Sequence, residues 1–262
     1  MPFQSPFLQS LPSGGELTIQ GHQGEEKHYH FPTFFVGTRA TTVITTGSTS
    51  VARELLGDTA DSLHPVQVRP GRCLIGIIAF HYGQITDGMK SYHEFAIGIA
   101  VSPAKLPLLP AIARERYGFG LWVQHLPVDS EENCHRGNVI WGLPKVMRRF
   151  SDEETDSVRT AEVWEGEKRG LRCEFPIDGP YRPFTEENRV YSKKDGKLWV
   201  TRTLQSGHRT TRFGRKFSLE IGDTAEGQTL QRLDPSTRAL MIRHSKDMES
   251  ALYLPKELTA RE

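Results

Sequence analysis

Two side chains in this sequence have the types and setting for chemistry: Lys145, in Gly142-Leu143-Pro144-Lys145, and Glu94, in Ser91-Tyr92-His93-Glu94-Phe95. A lysine attacks a carbonyl only as the neutral amine. An ordinary lysine, with a pKa near 10.4, is roughly 0.1% neutral at pH 7.4. Desolvation in an apolar pocket or a neighbouring cation raises that fraction by several hundred-fold when it brings the pKa to about 7. Lysines after turns are ordinarily solvated, so chemistry at Lys145 requires its Gly/Pro turn to face inward. The turn follows Asn138-Val139-Ile140-Trp141, read here as the end of an apolar strand, and Leu143, Pro144, Val146, Met147 and Trp141 are the candidates for an apolar wall.

Glu94 sits in a segment of clear alternation. Phe95, Ile97, Ile99 and Val101 share one face of a predicted strand over Tyr92–Val101, and Glu94, Ala96, Gly98 and Ala100 share the other. Small side chains beside one carboxylate leave room for a cavity into which Glu94 projects. The alternative is an exposed strand face with a solvated glutamate. In a regular strand Tyr92 lies on the Glu94 face and can hydrogen-bond a substrate oxygen, while His93 points away.

The elements that must position these residues are mostly short strands. The pattern predicts strands at 38–46, 66–68, 73–81, 119–126, 160–165, 171–175, 197–203, 208–213 and 216–221, separated by Gly- or Asp-bearing turns such as Lys194-Asp195-Gly196-Lys197. Short helices are expected over Ser48–Leu56, capped by Ser48 or Ser50, near Ala111–Arg116, and after Asp234-Pro235. Asp129–Arg136 reads as a polar loop, and residues 1–32 as an irregular arm suited to packing on a neighbouring subunit. Residues 33–262 form one domain. Many strands and few helices imply an antiparallel sheet or barrel, a mainly β fold.

Composition excludes several functions. The chain has 262 residues, 37% hydrophobic and 25% charged, with a formal net charge of +1. Nothing in that balance argues for nucleic acid or a membrane surface. The apolar run Leu74–Phe80 is too short to span a bilayer. The first residues lack the basic and apolar regions of a signal peptide. Cys73, Cys134 and Cys173 form no CxxC pair, which suits a reducing, cytoplasmic setting. His28 and His30 share a strand face but lack an evident third metal ligand. No HExxH, GxSxG, Walker A or GxGxxG motif occurs. His81 ends a predicted strand and is placed at the mouth of any cavity.

Together the Lys145 turn and the Tyr92–Glu94 strand resemble the acetoacetate decarboxylase family, and Glu249–Pro255 resembles its last strand, so the likeness spans about residues 30–255. The resemblance implies a cone-like closed β-barrel with a few outer helices, a homo-oligomer, and chemistry without metal or organic cofactor. It places Lys145 as the Schiff-base lysine and Glu94 as the active-site carboxylate. It also aligns Arg39 with an active-site arginine and Gly76 with a second carboxylate of the family. Two departures follow: Val146 stands where the decarboxylases have a second lysine, and Gly76 cannot supply a carboxylate. Relatives with this pattern are aldolases, dehydratases or cyclases of 2-oxo acids. The expected function is a Schiff-base lyase acting on a small 2-oxo or 3-oxo acid, with Lys145 and Glu94 catalytic and Tyr92, Arg39, Trp141, Gly76 and His81 at the substrate. A true β-keto acid decarboxylase, with Arg148 or Arg39 standing in for the missing lysine, and a non-catalytic binding barrel are the alternatives.

Overall fold

The computed structural model describes residues 3–105 and 119–259; the helical segment expected near Ala111–Arg116 lies outside them. Seven strands close into a barrel in sequence order: β1 (Thr33–Ser48), β2 (Arg72–Tyr82), β3 (Tyr92–Ser102), β4 (Gly120–Val128), β5 (Arg182–Lys194), β6 (Lys197–Phe213) and β7 (Met241–Leu252). Every neighbouring pair is antiparallel except β4 and β5, and β7 returns to β1. Closure leaves no open edge among the seven. The fold is the expected mainly β barrel.

Strand parity decides what faces the lumen. On β3, Phe95, Ile97, Ile99 and Val101 are completely buried on the outer face, while Tyr92, Glu94, Ala96 and Ala100 line an internal cavity. The outer face is apolar because a second layer covers it. A four-stranded sheet (Arg149–Glu154, Val158–Glu165, Lys168–Pro176 and Ser218–Ile221) packs Val163, Leu171, Cys173 and Phe175 against Val43, Ile77, Phe95 and Ile97. Each fully buried apolar side chain of this kind contributes about 1.5–3 kcal/mol, so the two layers hold the wall that carries Glu94.

Among the described residues three helices of eight residues or more flank the barrel: α1 (Thr49–Leu56), α2 (Glu131–Trp141) and α3 (Ala225–Leu233). In α1, Ser48 accepts a hydrogen bond from Val51 N as the N-cap, as anticipated. Ala52 and Leu56 of α1 and Leu233 of α3 seal Cys73, Ile75, Ile99 and Val101. Asp234 closes α3 in a left-handed conformation (φ 50°), so it ends a helix where the sequence suggested a start. The N-terminal arm is not irregular: Gly15–Gln20 and Glu26–Phe31 form an antiparallel hairpin. It packs on its own chain, with Tyr29 and Phe31 against Ile140 and Trp141 and Lys27 2.7 Å from Glu132. Among the described residues no helix is long and apolar enough to cross a membrane.

Candidate active site

The segment before Lys145 is a helix, not the loop and strand expected from the sequence. Ser130 caps α2 by accepting from Asn133 N, and Glu131 and Glu132 occupy its first turn, where carboxylates oppose the positive end of the helix dipole. Its buried residues are Asn133, Arg136, Gly137, Ile140 and Trp141, a helical period written largely in polar and small residues. The helix stops at Gly142, which takes the left-handed conformation (φ 61°) that glycine adopts without a Cβ penalty. Gly142 N donates to Asn138 O and Leu143 N to Gly137 O, and the chain turns back toward the barrel.

Asn138 then holds the lysine backbone from both sides. Lys145 N donates to Asn138 Oδ1 at 2.9 Å, and Asn138 Nδ2 donates to Lys145 O at 3.2 Å. Lys145–Met147 adds a short parallel strand beside β4, with Lys145 opposite Leu126. The lysine stem crosses α2 at Gly137, where a Cβ would stand 2.4 Å from Lys145 Cδ. A side chain there would block the path that glycine leaves open.

Lys145 and Glu94 meet inside the barrel. Nζ lies 2.6 Å from Glu94 Oε2, and the two side chains are only 7% and 8% exposed. Tyr82 donates to Glu94 Oε1 at 3.1 Å, and Nζ lies 5.2 Å from the centre of the Tyr92 ring. Tyr82 and Tyr92 face each other in register and stack at 4.8 Å. Burial, and then the adjacent Glu94 charge, push both phenols well above their ordinary range, so both remain protonated donors. The cavity they border encloses about 680 Å³, with Ile78, Phe80, Val123, Leu126 and Leu143 among its apolar walls and Glu186, Arg209 and Arg243 among its polar ones.

Tyr92, Glu94 and Lys145 are therefore brought together as the sequence suggested, and four other candidates are not. Arg39 directly precedes the inward Ala40, so parity turns it out of the barrel, 2.7 Å from Asp152. His81 sits between the inward Phe80 and Tyr82 and likewise points out, stacking on His93 at 4.5 Å. Trp141 lies behind the site, edge-on to Phe31 at 5.8 Å, with Nε1 donating to Tyr253 O at 2.9 Å. Gly76 does face inward, opposite Gly98, but Leu121 covers the pair: added Cβ atoms would meet its side chain at 3.1 Å and 2.5 Å. The place of the absent second carboxylate is thus filled by hydrocarbon.

The expected apolar wall is also reduced. Leu143 lines the cavity, whereas Val146 and Met147 are 37% and 41% exposed. Position 146, where the second lysine is missing, points away from Glu94. Arg148 cannot replace that lysine, because it is engaged outside, 3.1 Å from Glu226 and 3.2 Å from Glu165. Three contributors escaped sequence reasoning: Tyr82, one residue past the predicted end of its strand, and Gly137 and Asn138, hidden in a helix without an apolar stripe.

No curated protein matches the chain in sequence. Among solved structures it is similar to acetoacetate decarboxylase from Legionella pneumophila subsp. pneumophila str. Philadelphia 1, at 13% identity and a TM-score of 0.63, over 87% of each chain. It is similar to the enduracididine biosynthesis enzyme MppR complexed with pyruvate, at 13% identity and a TM-score of 0.62, over 92% of this chain and 96% of that one. An acetoacetate decarboxylase-like enzyme from Sphingomonas wittichii RW1 shares 13% identity with a TM-score of 0.56, over 86% and 92% of the two chains. At such identities the likeness shows a common fold. The sequence itself matches the acetoacetate decarboxylase (ADC) family over residues 26–246, from the N-terminal hairpin into β7. That match spans every barrel strand up to the last, together with the lysine turn, and the chain belongs to the acetoacetate decarboxylase family.

Proposed function

We propose that this protein is a Schiff-base-forming lyase acting on a small 2-oxo or 3-oxo acid, with Lys145 as nucleophile and Glu94 as acid/base. The observation that carries the reading is the buried Lys145–Glu94 pair at 2.6 Å, inside a cavity with apolar walls. The nearest acceptor for the proton that Lys145 must shed is Glu94 Oε2. The free amine adds to the ketone carbon, and Glu94 returns its proton to the carbinolamine hydroxyl, which leaves as water to give an iminium and a free carboxylate. The iminium withdraws electrons from the adjacent C–H bond, and Glu94 takes that proton to leave an enamine. The enamine then adds to an aldehyde or expels a β-hydroxyl as water, and hydrolysis returns the amine. Tyr82 and Tyr92, held as phenols, donate to Glu94 and to a substrate oxygen. MppR, of the same fold, has been crystallised with pyruvate and with a condensation product of pyruvate and imidazole 4-carboxaldehyde, which supports carbonyl condensation over simple loss of CO₂. Leu121 in place of a second carboxylate leaves one acid/base group beside the amine, the minimum for proton transfer at carbon.

Borohydride trapping tests this. The protein is incubated with pyruvate, acetoacetate and a panel of longer 2-oxo acids, reduced, and the adduct mapped by mass spectrometry. An adduct on Lys145, absent from Lys145→Ala, is expected. No adduct with any keto acid would overturn the reading and leave a binding barrel.

A further inference from the structure

Lys145 and Glu94 stand beside a strip of cavity wall built of hydrocarbon. Apart from Glu94 and the two tyrosines, every lining residue of β2, β3 and β4 is apolar among the described residues. Register makes the strip continuous. Glu94 lies opposite Phe80, Ala96 opposite Ile78, and Gly98 opposite Gly76. Gly98 also pairs with Val123, and Leu126 with Lys145.

The strip is a packed cluster with one open side. Ala96, Val123 and Leu126 are buried together, and Ile78, Leu121 and Leu143 pack against them only partly buried. All six line the cavity, so apolar surface is left facing the lumen next to the amine. From Glu94 to Gly98 the strip runs four residues along β3, about 13 Å at roughly 3.3 Å each.

Leu121 marks its far end. It pairs with Val190 of β5, and its side chain rests on Gly76 and Gly98, where added Cβ atoms would meet it at 3.1 Å and 2.5 Å. Between Glu94 and Leu121 these three strands offer no hydrogen-bonding side chain. A hydroxyl or a charge laid on them gives up water and gains no partner, which is unfavourable. An alkyl chain gains about fourfold in affinity for each methylene it buries. The cavity has room for one: its volume of about 680 Å³ falls within the roughly 300–1,000 Å³ of pockets that enclose drug-sized ligands.

We propose that this strip is a subsite for a hydrocarbon side chain, bounded by Leu121, and that the preferred substrates are 2-oxo acids with an extended apolar tail rather than pyruvate or acetoacetate. The keto carbon reaches Lys145, and the tail lies along Ala96 and Ile78 toward Leu121. This rests on the Lys145 reading, which supplies the keto end; the subsite itself is testable without it.

Calorimetry on the unaltered protein compares 2-hydroxyheptanoate with 2-hydroxybutanoate, acids that share a head group, differ by three methylenes and cannot form an imine. The longer acid is expected to bind at least tenfold more tightly. The acid 2-hydroxypimelate, whose chain ends in a carboxylate, is expected to bind no more tightly than the short one. Leu121→Phe fills the far end of the strip and is expected to cut the long-over-short ratio at least fivefold; a folded variant with an unchanged ratio would place the tail elsewhere and overturn the assignment. Trapping with borohydride is expected to label Lys145 at least tenfold faster with 2-oxoheptanoate than with 2-oxobutanoate. Equal binding of the two hydroxy acids, no measurable binding of either, or tightest binding of 2-hydroxypimelate overturns the subsite, whether or not Lys145 forms adducts. Selective binding of the longer hydroxy acid with no keto acid ever trapped keeps the subsite and removes the Schiff-base reading. The ligand comparison needs no variant, so a misfolded Leu121→Phe does not blunt it.

Discussion

At the scale of single residues, the Lys145–Glu94 pair divides the proposed reaction into two separable steps. Glu94→Gln keeps a hydrogen-bonding group 2.6 Å from Nζ but removes the proton acceptor. Lys145 adducts are expected to form more slowly in that variant but still to accumulate in alkaline solution, where solvent base takes the amine's proton. Exchange of the substrate's α-protons with deuterated water, followed by NMR, is expected to slow by about 10²–10⁴, the usual worth of a general base. Loss of adduct with unchanged exchange would contradict this division. Val146 supplies a complementary test. It is 37% exposed and alternates away from the cavity, so Val146→Lys places its ammonium in solvent, where screening weakens any effect on the amine. The pH profile of trapping is expected to stay within about 0.3 unit of the parent, since only a charge held close and out of water shifts a neighbour's titration strongly; a profile moved by a full unit would show that the second-lysine position does reach the site. Sequence located both members of the pair because one stood alone among small residues and the other on a Gly/Pro turn. Arg39 and His81 are misplaced by sequence because each lies one residue from an inward position, and strand parity turns both outside.

At the scale of elements, α2 does the positioning. It delivers Gly142 for the turn, Gly137 for the lysine's path and Asn138 for the clamp, yet its sequence reads as a loop running into a strand. The physical reason lies in Arg136, which is 2% exposed and sits among the rings of Tyr29, Phe31 and Trp141 at 4.5, 5.6 and 4.9 Å. A helix whose buried face carries Asn133, Arg136 and Gly137 has no hydrophobic stripe to find. β5 is hidden for the same kind of reason, since Glu186, Glu187, Asn188 and Arg189 leave it no apolar alternation. The strands that were legible include β1, β2, β3, β4 and β6 and two strands of the covering sheet, and β1, β2 and β3 carry apolar side chains packed under that sheet. The clamp predicts a specific defect. Asn138→Ala removes two hydrogen bonds to the Lys145 backbone, about 1–3 kcal/mol at 0.5–1.5 each. A melting temperature lower by a few degrees is expected, with Lys145 trapping slowed more than the small loss of folded protein explains. Unchanged trapping in a destabilised variant would confine Asn138 to folding.

At the scale of the whole molecule, the barrel and its covering sheet are joined by a buried ionic layer as well as by the apolar core. Arg159 is completely buried and donates to both oxygens of Asp152 at 2.9 Å, to Ala79 O at 3.0 Å and to Thr41 Oγ1 at 3.1 Å. Asp152 also takes Arg39 at 2.7 Å, which gives that arginine a structural place outside the lumen. His244 of β7 completes the layer, 1% exposed, with Nδ1 2.8 Å from Thr41 Oγ1 and Nε2 3.5 Å from Glu154. Burial first, and then the cations Arg159, Lys246 and Arg39, push its imidazole from an ordinary 6.5 down to about 3. The folded chain holds His244 neutral where the unfolded chain protonates it. Stability that is complete above pH 6.5 is therefore lost as pH falls from 6.5 toward 3, at up to about 1.4 kcal/mol per pH unit for this group. Burial also depresses His81 and His125, which act in the same direction. Asp152 and Glu186, both lowered below the usual carboxylate range, contribute only in more acid solution. Between about pH 6.5 and 5 the histidines dominate the slope, because carboxylates remain ionised in both states. Urea unfolding at pH 7.5, 6 and 5 is expected to show a loss of stability that His244→Asn reduces by about 1–2 kcal/mol over that range. An identical pH dependence in the variant would mean that the ionic layer protonates with the fold intact, and that the apolar core alone keeps the covering sheet on the barrel in acid.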